Sequence, residues 1–229
     1  EGLYASRGAG IDLRGEVATD TLIVTRKGVE RVARFAFDLS RRRGGAPGDG
    51  RRRVTVCDKA NILRTYAFFR AVCDEVATGY GDVDLDHAYA DAITVHLLKK
   101  PEFYDVIVTE NMFGDILTDE AAMLAGSMGM MPSASLGRRK KDGTGIGLYE
   151  PIHGSAPDIT GQKKANPLAM ILSAAMMLRL SLGLEAEAAA IEVAVDAVIK
   201  DGYRTPDIAG KGAKVVDTAR MGTLVAERL

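Results

Sequence analysis

Three short runs, Val54–Cys57 (VTVC), Val83–His87 (VDLDH) and Asp105–Thr109 (DVIVT), are each followed by a stretch of helical character. After the first, Ile62, Tyr66, Phe69, Cys73 and Val76 recur at spacings of four and three. After the second, Ala88, Ala92, Val95 and Leu98 do so up to Pro101. The third is followed by a helical stretch over Asp115–Leu124, closed by Gly126. A repeated switch between strand and helix periodicity predicts a layered α/β architecture, because each strand needs a helix to cover it.

The flanking sequence fits the same scheme. Thr21–Thr25 (TLIVT) reads as a strand, and Lys27–Leu39 as a helix with Val29, Val32, Ala36 and Leu39 inward. Arg41–Arg53 holds Gly44, Gly45, Pro47, Gly48 and Gly50 between two arginine triplets, which reads as a flexible surface connection with solvated charge. Arg138–Lys141 with Gly143, Gly145 and Gly147 reads as a polar loop before an element starting at Leu148-Tyr149. Asn166 and Pro167 are an N-cap and first helical residue, and the following helix to Leu182 is apolar almost all round, so it is expected to be buried. A helix over Glu185–Lys200 follows, with Ile191, Val195, Val198 and Ile199 inward and Gly202 as C-cap.

Composition excludes several function classes. Thirty Lys+Arg oppose 31 Asp+Glu in 229 residues, a net charge of −1, so nucleic acid and anionic membrane surfaces are not expected partners. With 47% hydrophobic and 27% charged residues the chain is that of a globular domain able to bury a core. The longest apolar stretch, Leu168–Leu178, is broken by Ser173 and ends at Arg179, short of the roughly 20 residues a membrane span needs. Cys57 and Cys73 form no C-x-x-C pair and lie near no Cys/His cluster, so reduced thiols in a cytoplasmic protein are expected. Glu1–Tyr4 has neither the basic nor the apolar region of a signal peptide.

Four groups of residues carry chemical potential. Asp115 and Asp119, four apart on a helix, present carboxylates on one face that can share a hard divalent cation. An isolated pair of this kind is usually a solvated surface. Here it follows strand DVIVT through the turn Glu110–Gly114, at a strand's carboxyl end where α/β proteins bind ligands, which favours a metal site. Lys59 follows Val54–Cys57 in the same relation, and its position alone leaves a general base and a solvated amine both open. Tyr4 and Arg7 are a proton donor and anion anchor, or simply a turn with an aromatic plug. Tyr149–Asp158 (YEPIHGSAPD) predicts a tight loop whose backbone approaches a ligand closely, with His153 to stack or bond and Asp158 to accept from a ribose diol. Gly143, Gly145 and Gly147 miss the G-x-G-x-x-G spacing, so a Rossmann dinucleotide fold is not supported.

Taken together, DKANIL (58–63), YADAITVHL (89–97), ENMFGDILTDEAAMLAGSMGMMPSASLG (110–137) and GLYEPIHGSAPDITGQKKANPLAMILSAAMMLR (147–179) resemble the isopropylmalate/isocitrate dehydrogenase family. The resemblance covers almost the whole chain. It implies that family's two-domain α/β fold, with residues 1–126 as a central substrate, metal and dimerisation domain and 127–229 as the C-terminal part of the cofactor domain. It also implies a metal-dependent oxidative decarboxylase of a substituted malate, acting as a homodimer with a shared site.

Carried residue by residue, the resemblance makes Asp115 and Asp119 ligands of Mg²⁺ or Mn²⁺, with Asp91 a third from the neighbouring subunit. Lys59, also from the neighbour, matches the base that helps deprotonate the substrate hydroxyl, and Tyr4 the acid that protonates the enol. Asn61 lies near the nicotinamide. Glu150, His153, Gly154, Ser155, Ala156, Asp158 and Asn166 surround the dinucleotide. An acid at Asp158 implies NAD, because a carboxylate repels the extra phosphate of NADP. The family's N-terminal segment has no counterpart here, so the chain is expected to be a fragment of a longer enzyme lacking roughly a third of it. EGLY at the start is closer to the isocitrate, homoisocitrate and tartrate branches, whereas DKANIL and SMGMMPSASLG lean to isopropylmalate. The expected substrate is 3-isopropylmalate, with tartrate/D-malate, homoisocitrate and isocitrate as alternatives. Two other classes compete: a non-catalytic regulatory subunit, which intact Tyr4, Lys59, Asp91, Asp115 and Asp119 oppose, and a metal-dependent phosphoesterase, which the HGSAPD loop opposes.

Overall fold

The computed structural model describes residues 2–229 and divides the chain into two compact units, 1–121 and 122–229. In the first unit Gly2 pairs with Ile23 in an isolated antiparallel bridge, and a short 3-10 turn spans Tyr4–Ser6. β1 (Ile11–Leu13) and β2 (Val17–Thr19) form an antiparallel hairpin exposed along its length. Next come α1 (Arg26–Arg42), β3 (Arg53–Asp58), α2 (Arg64–Ala77), β4 (Asp84–Tyr89), α3 (Ala90–Lys99), β5 (Val106–Thr109) and α4 (Asn111–Leu124).

The three longer strands form a parallel sheet in the order β4-β3-β5, in register at Asp58↔Tyr89 and Cys57↔Thr109. β3 is central and buried at all six positions, as a strand covered on both faces must be. The period of two divides its side chains. Val54 and Val56 join Phe37, Phe69, Val72 and Cys73 under α1 and α2, while Cys57 joins Ile93, Leu97, Tyr104 and Leu117 under α3 and α4.

The amino end of this sheet is tied by charge. Asp105, with a fully buried side chain, accepts from Ser40 Oγ at 2.6 Å, Arg43 Nε at 2.8 Å and the Arg53 amide at 3.3 Å. Arg53 reaches Asp49 at 2.7 Å and stacks its guanidinium 3.9 Å from the Phe103 ring centroid. Arg41–Arg53 is therefore a built connection rather than a flexible one. Arg41, Arg43, Arg51, Arg52 and Arg53 find aspartate partners, and Ala46 between them is buried.

The second unit opens with a 3-10 turn over Met128–Met130 and an antiparallel hairpin of β6 (Pro132–Arg139) and β7 (Gly145–Pro151). α5 (Leu168–Met177) runs into a wider π turn, Leu178–Leu182, followed by α6 (Glu185–Lys200). β8 (Tyr203–Arg204) and β9 (Lys214–Val215) form a short parallel pair, and α7 (Thr218–Ala226) closes the chain. Leu168, Val195, Val198, Met221 and Leu224 centre its core.

Several sequence expectations are corrected. Thr21–Thr25 is not a strand, because Ile23 alone finds a ladder partner and a β-branched run without a neighbour has no ladder to join. The expected turn at Glu110–Gly114 is mostly helix, with Glu110 alone separating β5 from α4. On α3 the buried residues are Ile93 and Leu97, while Val95 and Leu98 face outward, so the predicted stripe was out of phase. Ile62 is exposed because α2 begins only at Arg64. The polar stretch Arg138–Gly147 forms the tip and inner ends of the β6/β7 hairpin, turned by Gly143 at φ +83°. Met170, Met177 and Leu182 are exposed, so the helix from 168 buries one face rather than its whole circumference. Among the described residues no helix is long and apolar enough to cross a membrane.

Candidate active site

The carboxyl ends of β3, β4 and β5 lie along one edge of the sheet, and each passes at once into a segment bearing a candidate residue. Lys59 and Asn61 follow β3, Asp91 sits in the first turn of α3 after β4, and Asp115 and Asp119 lie on α4 after β5. Parallel register thus gathers residues from distant parts of the sequence at the end where α/β sheets bind ligands.

Lys59 Nζ lies 2.5 Å from Asp91 Oδ1. The ammonium beside it holds the Asp91 carboxyl below the usual carboxylate range. The turn carrying Lys59 is fixed from below by Asp58, whose side chain is fully buried. Asp58 accepts two bonds from Arg70, Nε and Nη2 each at 2.8 Å, and one from the Ala60 amide at 2.8 Å. That bidentate pair raises the Arg70 pKa further and fixes the direction of the turn. The Arg70 guanidinium also lies 5.1 Å from the Tyr89 ring centroid, tying the ends of β3 and β4 together.

Asp115 and Asp119 are exposed on α4. Asp115 accepts from the neutral Asn111 Nδ2 at 3.0 Å, and neither carboxylate forms an ion pair among the described residues. Two adjacent carboxylates without a neutralising cation suit a divalent metal, whose hard oxygen donors these are. Yet no three His, Cys, Asp or Glu among the described residues are grouped to hold a metal ion.

Tyr4 is 62% exposed, free to meet a ligand. The segment leading to it is seated on Glu110. Gly2 adopts φ +74°, and a Cβ there would lie 1.9 Å from Glu110 Oε1, so glycine permits the close approach. Glu110 Oε2 accepts from Tyr66 O–H at 2.8 Å, and Tyr66 stacks on Phe113 at 5.0 Å. Burial, then the Glu110 bond, pushes the Tyr66 phenol up. Sequence reading missed Glu110, because a lone acid between a strand and a helix carries no periodic signal.

In the second unit the loop after β7 borders a cavity of about 520 Å³. Of the expected cofactor residues, His153, Gly154, Ser155, Ala156 and Asn166 line it, whereas Glu150 and Asp158 do not. Ala156 is held in the left-handed region at φ +42°, a costly conformation for a residue with a Cβ, seen where a loop is shaped for a ligand. Lys163, Lys164 and Asp207, none of them anticipated, also line it. Asn166 is 8% exposed and its side chain is spent on the protein: Oδ1 accepts the Leu168 amide at 3.0 Å, as expected of the α5 cap, and Nδ2 donates to Asp207 at 3.1 Å. A larger cavity of about 610 Å³ beside β4 contains none of the expected residues.

The alternating layers, the charged edge of the parallel sheet and the shaped loop define a class, and sequence comparison names it. Residues 1–225 match the family described as isocitrate/isopropylmalate dehydrogenase, and the chain belongs to that family. Among its curated relatives, 3-isopropylmalate dehydrogenase of Nitratidesulfovibrio vulgaris is 51% identical over 99% of this chain and 61% of its own length. That of Carboxydothermus hydrogenoformans is 52% identical over 94% and 54%. Isocitrate dehydrogenase of Methylococcus capsulatus superposes with TM-score 0.84 and 41% identity over 100% of this chain and 64% of that structure. A β-decarboxylating dehydrogenase of Thermococcus kodakarensis gives 0.79 and 39% over 96% and 59%. The chain spans little more than half the length of the relatives it matches.

Proposed function

We propose that this chain forms the substrate, metal and cofactor-binding part of an NAD-dependent enzyme that oxidatively decarboxylates a substituted malate, 3-isopropylmalate in the first place. The observation that carries the reading is the Lys59–Asp91 pair set on the same sheet edge as the unneutralised Asp115 and Asp119. Relatives about half identical that are named 3-isopropylmalate dehydrogenase support the choice of substrate.

In this reading Asp115 and Asp119 hold Mg²⁺ or Mn²⁺, and Asp91 completes the set for the site of a second copy, a homodimer with shared active sites. A divalent cation held there would acidify the substrate hydroxyl and stabilise negative charge developing on its oxygen. Lys59 takes the hydroxyl proton, and Tyr4 returns a proton to carbon after carbon dioxide leaves. NAD held by the second unit would supply the hydride acceptor. Residues 1–126 serve the substrate and metal, and 127–229 the dinucleotide, with Asn61 beside the nicotinamide and Glu150, His153, Gly154, Ser155, Ala156, Asp158 and Asn166 around the remainder. The exposed Asp158 disfavours the 2′-phosphate of NADP and so favours NAD. Buried, unpaired Cys57 and Cys73 suit the reducing cytoplasm.

The test is NADH formation by the protein with Mn²⁺ present, against 3-isopropylmalate, D-malate, tartrate, isocitrate and homoisocitrate. Turnover of 3-isopropylmalate above the rest supports the reading; preference for another member replaces the substrate and keeps the class.

A further inference from the structure

Three segments far apart in sequence meet at the cavity of the second unit: the turn 127–130, Asn166 ahead of α5, and a 3-10 turn at Pro206–Ile208. Asp207 is where they join. Its Oδ2 accepts from Asn166 Nδ2 at 3.1 Å, and the Ser127 and Thr205 side chains face the same carboxylate. Ser127 Oγ in turn accepts the Gly129 amide at 3.0 Å. Burial pushes the Asp207 carboxyl up, but the polar groups of Ser127, Thr205 and Asn166 around it outweigh that and leave it below the usual range, an anionic acceptor at neutral pH.

That acceptor decides how the Asn166 amide is turned. With Nδ2 facing Asp207, Oδ1 must face the Leu168 amide, which it caps at 3.0 Å. The opposite orientation would set oxygen against carboxylate and NH₂ against N–H, losing both bonds. Packing leaves the pair no room to move. A Cβ on Gly129 would lie 2.7 Å from Asn166 Cβ and 2.9 Å from Asp207 Oδ2, so the backbone of the 127–130 turn rests directly on them.

We propose that Asp207 is a positioning residue for the dinucleotide, fixing the Asn166 amide, the first turn of α5 and the Gly129 floor of the cavity as one unit. The inference rests on the reading of this cavity as the dinucleotide site. It assigns the affinity contribution of Asp207 to the bond it accepts, not to its charge and not to contact with the ligand.

The experiment is a titration of the protein with NAD by calorimetry, paired with hydrogen exchange at the Leu168 amide. Asp207→Ala leaves Asn166 Nδ2 buried without a partner, so affinity is expected to fall about tenfold and Leu168 exchange to rise by about the same factor. Asp207→Asn keeps an acceptor and loses the charge, and is expected to restore both readouts to within about threefold of the unsubstituted protein. Asn166→Ala is expected to match Asp207→Ala, and the double substitution to cost no more than either alone, because the two act through one bond. Failure of Asp207→Asn to restore binding, or additive losses in the double variant, overturns the inference in favour of a direct ionic contact. If the unsubstituted protein binds no NAD, the dinucleotide reading fails. Leu168 exchange then still decides the positioning role, which is overturned if Asp207→Ala leaves that exchange unchanged.

Discussion

The ammonium of Lys59 lies 2.5 Å from the carboxylate of Asp91, joining the residue after β3 to the first turn of α3. The register that sets Asp58 opposite Tyr89 brings them together, so the pair follows directly from the parallel ladder. In the proposed chemistry one is a base and the other a metal ligand, and they belong to one structural piece.

Base and metal functions are expected to separate on substitution. Lys59→Ala should lower kcat by at least about a hundredfold while leaving the Mn²⁺ dissociation constant unchanged. Asp115→Asn should raise that constant about 10- to 100-fold and lower activity in parallel. Calorimetric Mn²⁺ titration beside steady-state kinetics checks both, and loss of Mn²⁺ binding in Lys59→Ala would contradict the assignment.

Asp58 is expected to matter more for stability than any surface pair. Asp58→Ala leaves Arg70 without its bidentate partner and frees the Ala60 amide, with an expected cost of about 3 kcal/mol read from the urea midpoint. Breaking an exposed, solvent-screened pair such as Arg26–Glu75 should move the midpoint far less.

Burial pushes the Cys57 thiol up to about 11 and the Cys73 thiol up to about 12. Both titrate later in the folded chain than in the unfolded one, where thiols ionise near about 8.5. Their contribution to stability is therefore complete below that pH and is lost as pH climbs toward the folded values. Unfolding free energy should decline above about pH 9, with a shallower slope in Cys73→Ala. At pH 8 a thiol reagent should modify neither cysteine until denaturant is added; rapid labelling of the native protein would contradict their burial.

Cofactor choice should respond to position 158. Asp158→Lys removes the carboxylate opposed to a 2′-phosphate and should shift the ratio of kcat/KM toward NADP by about tenfold or more, equivalent to about 1.4 kcal/mol. An unchanged ratio would remove Asp158 from the cofactor assignment.

Elements whose own periodicity suffices were legible in the sequence. β3, β5, α1 and α6 lie where alternation and apolar stripes put them, since each carries its pattern and its breakers within itself, although on α1 Val32 faces outward and Ala33 and Phe37 fill the buried face instead. Elements that depend on a partner were not. Thr21–Thr25 has strand chemistry, but only Ile23 meets a neighbour, and the β6/β7 hairpin hid behind a basic, glycine-rich tip. The same division runs through the site. Lys59, Asp91, Asp115 and Asp119 stood out through motif resemblance and strand ends. Asp58, Glu110 and Asp207 act by hydrogen bonds across 12, 44 and 41 residues of sequence, which no local pattern records.

The most direct test of the proposed function is to follow NADH and carbon dioxide together during oxidation of 3-isopropylmalate by the protein with Mn²⁺. The expected result is equimolar formation of both, abolished by chelation of the metal and by Asp115→Asn. NADH without carbon dioxide, or turnover unaffected by chelation, would contradict a metal-dependent oxidative decarboxylation.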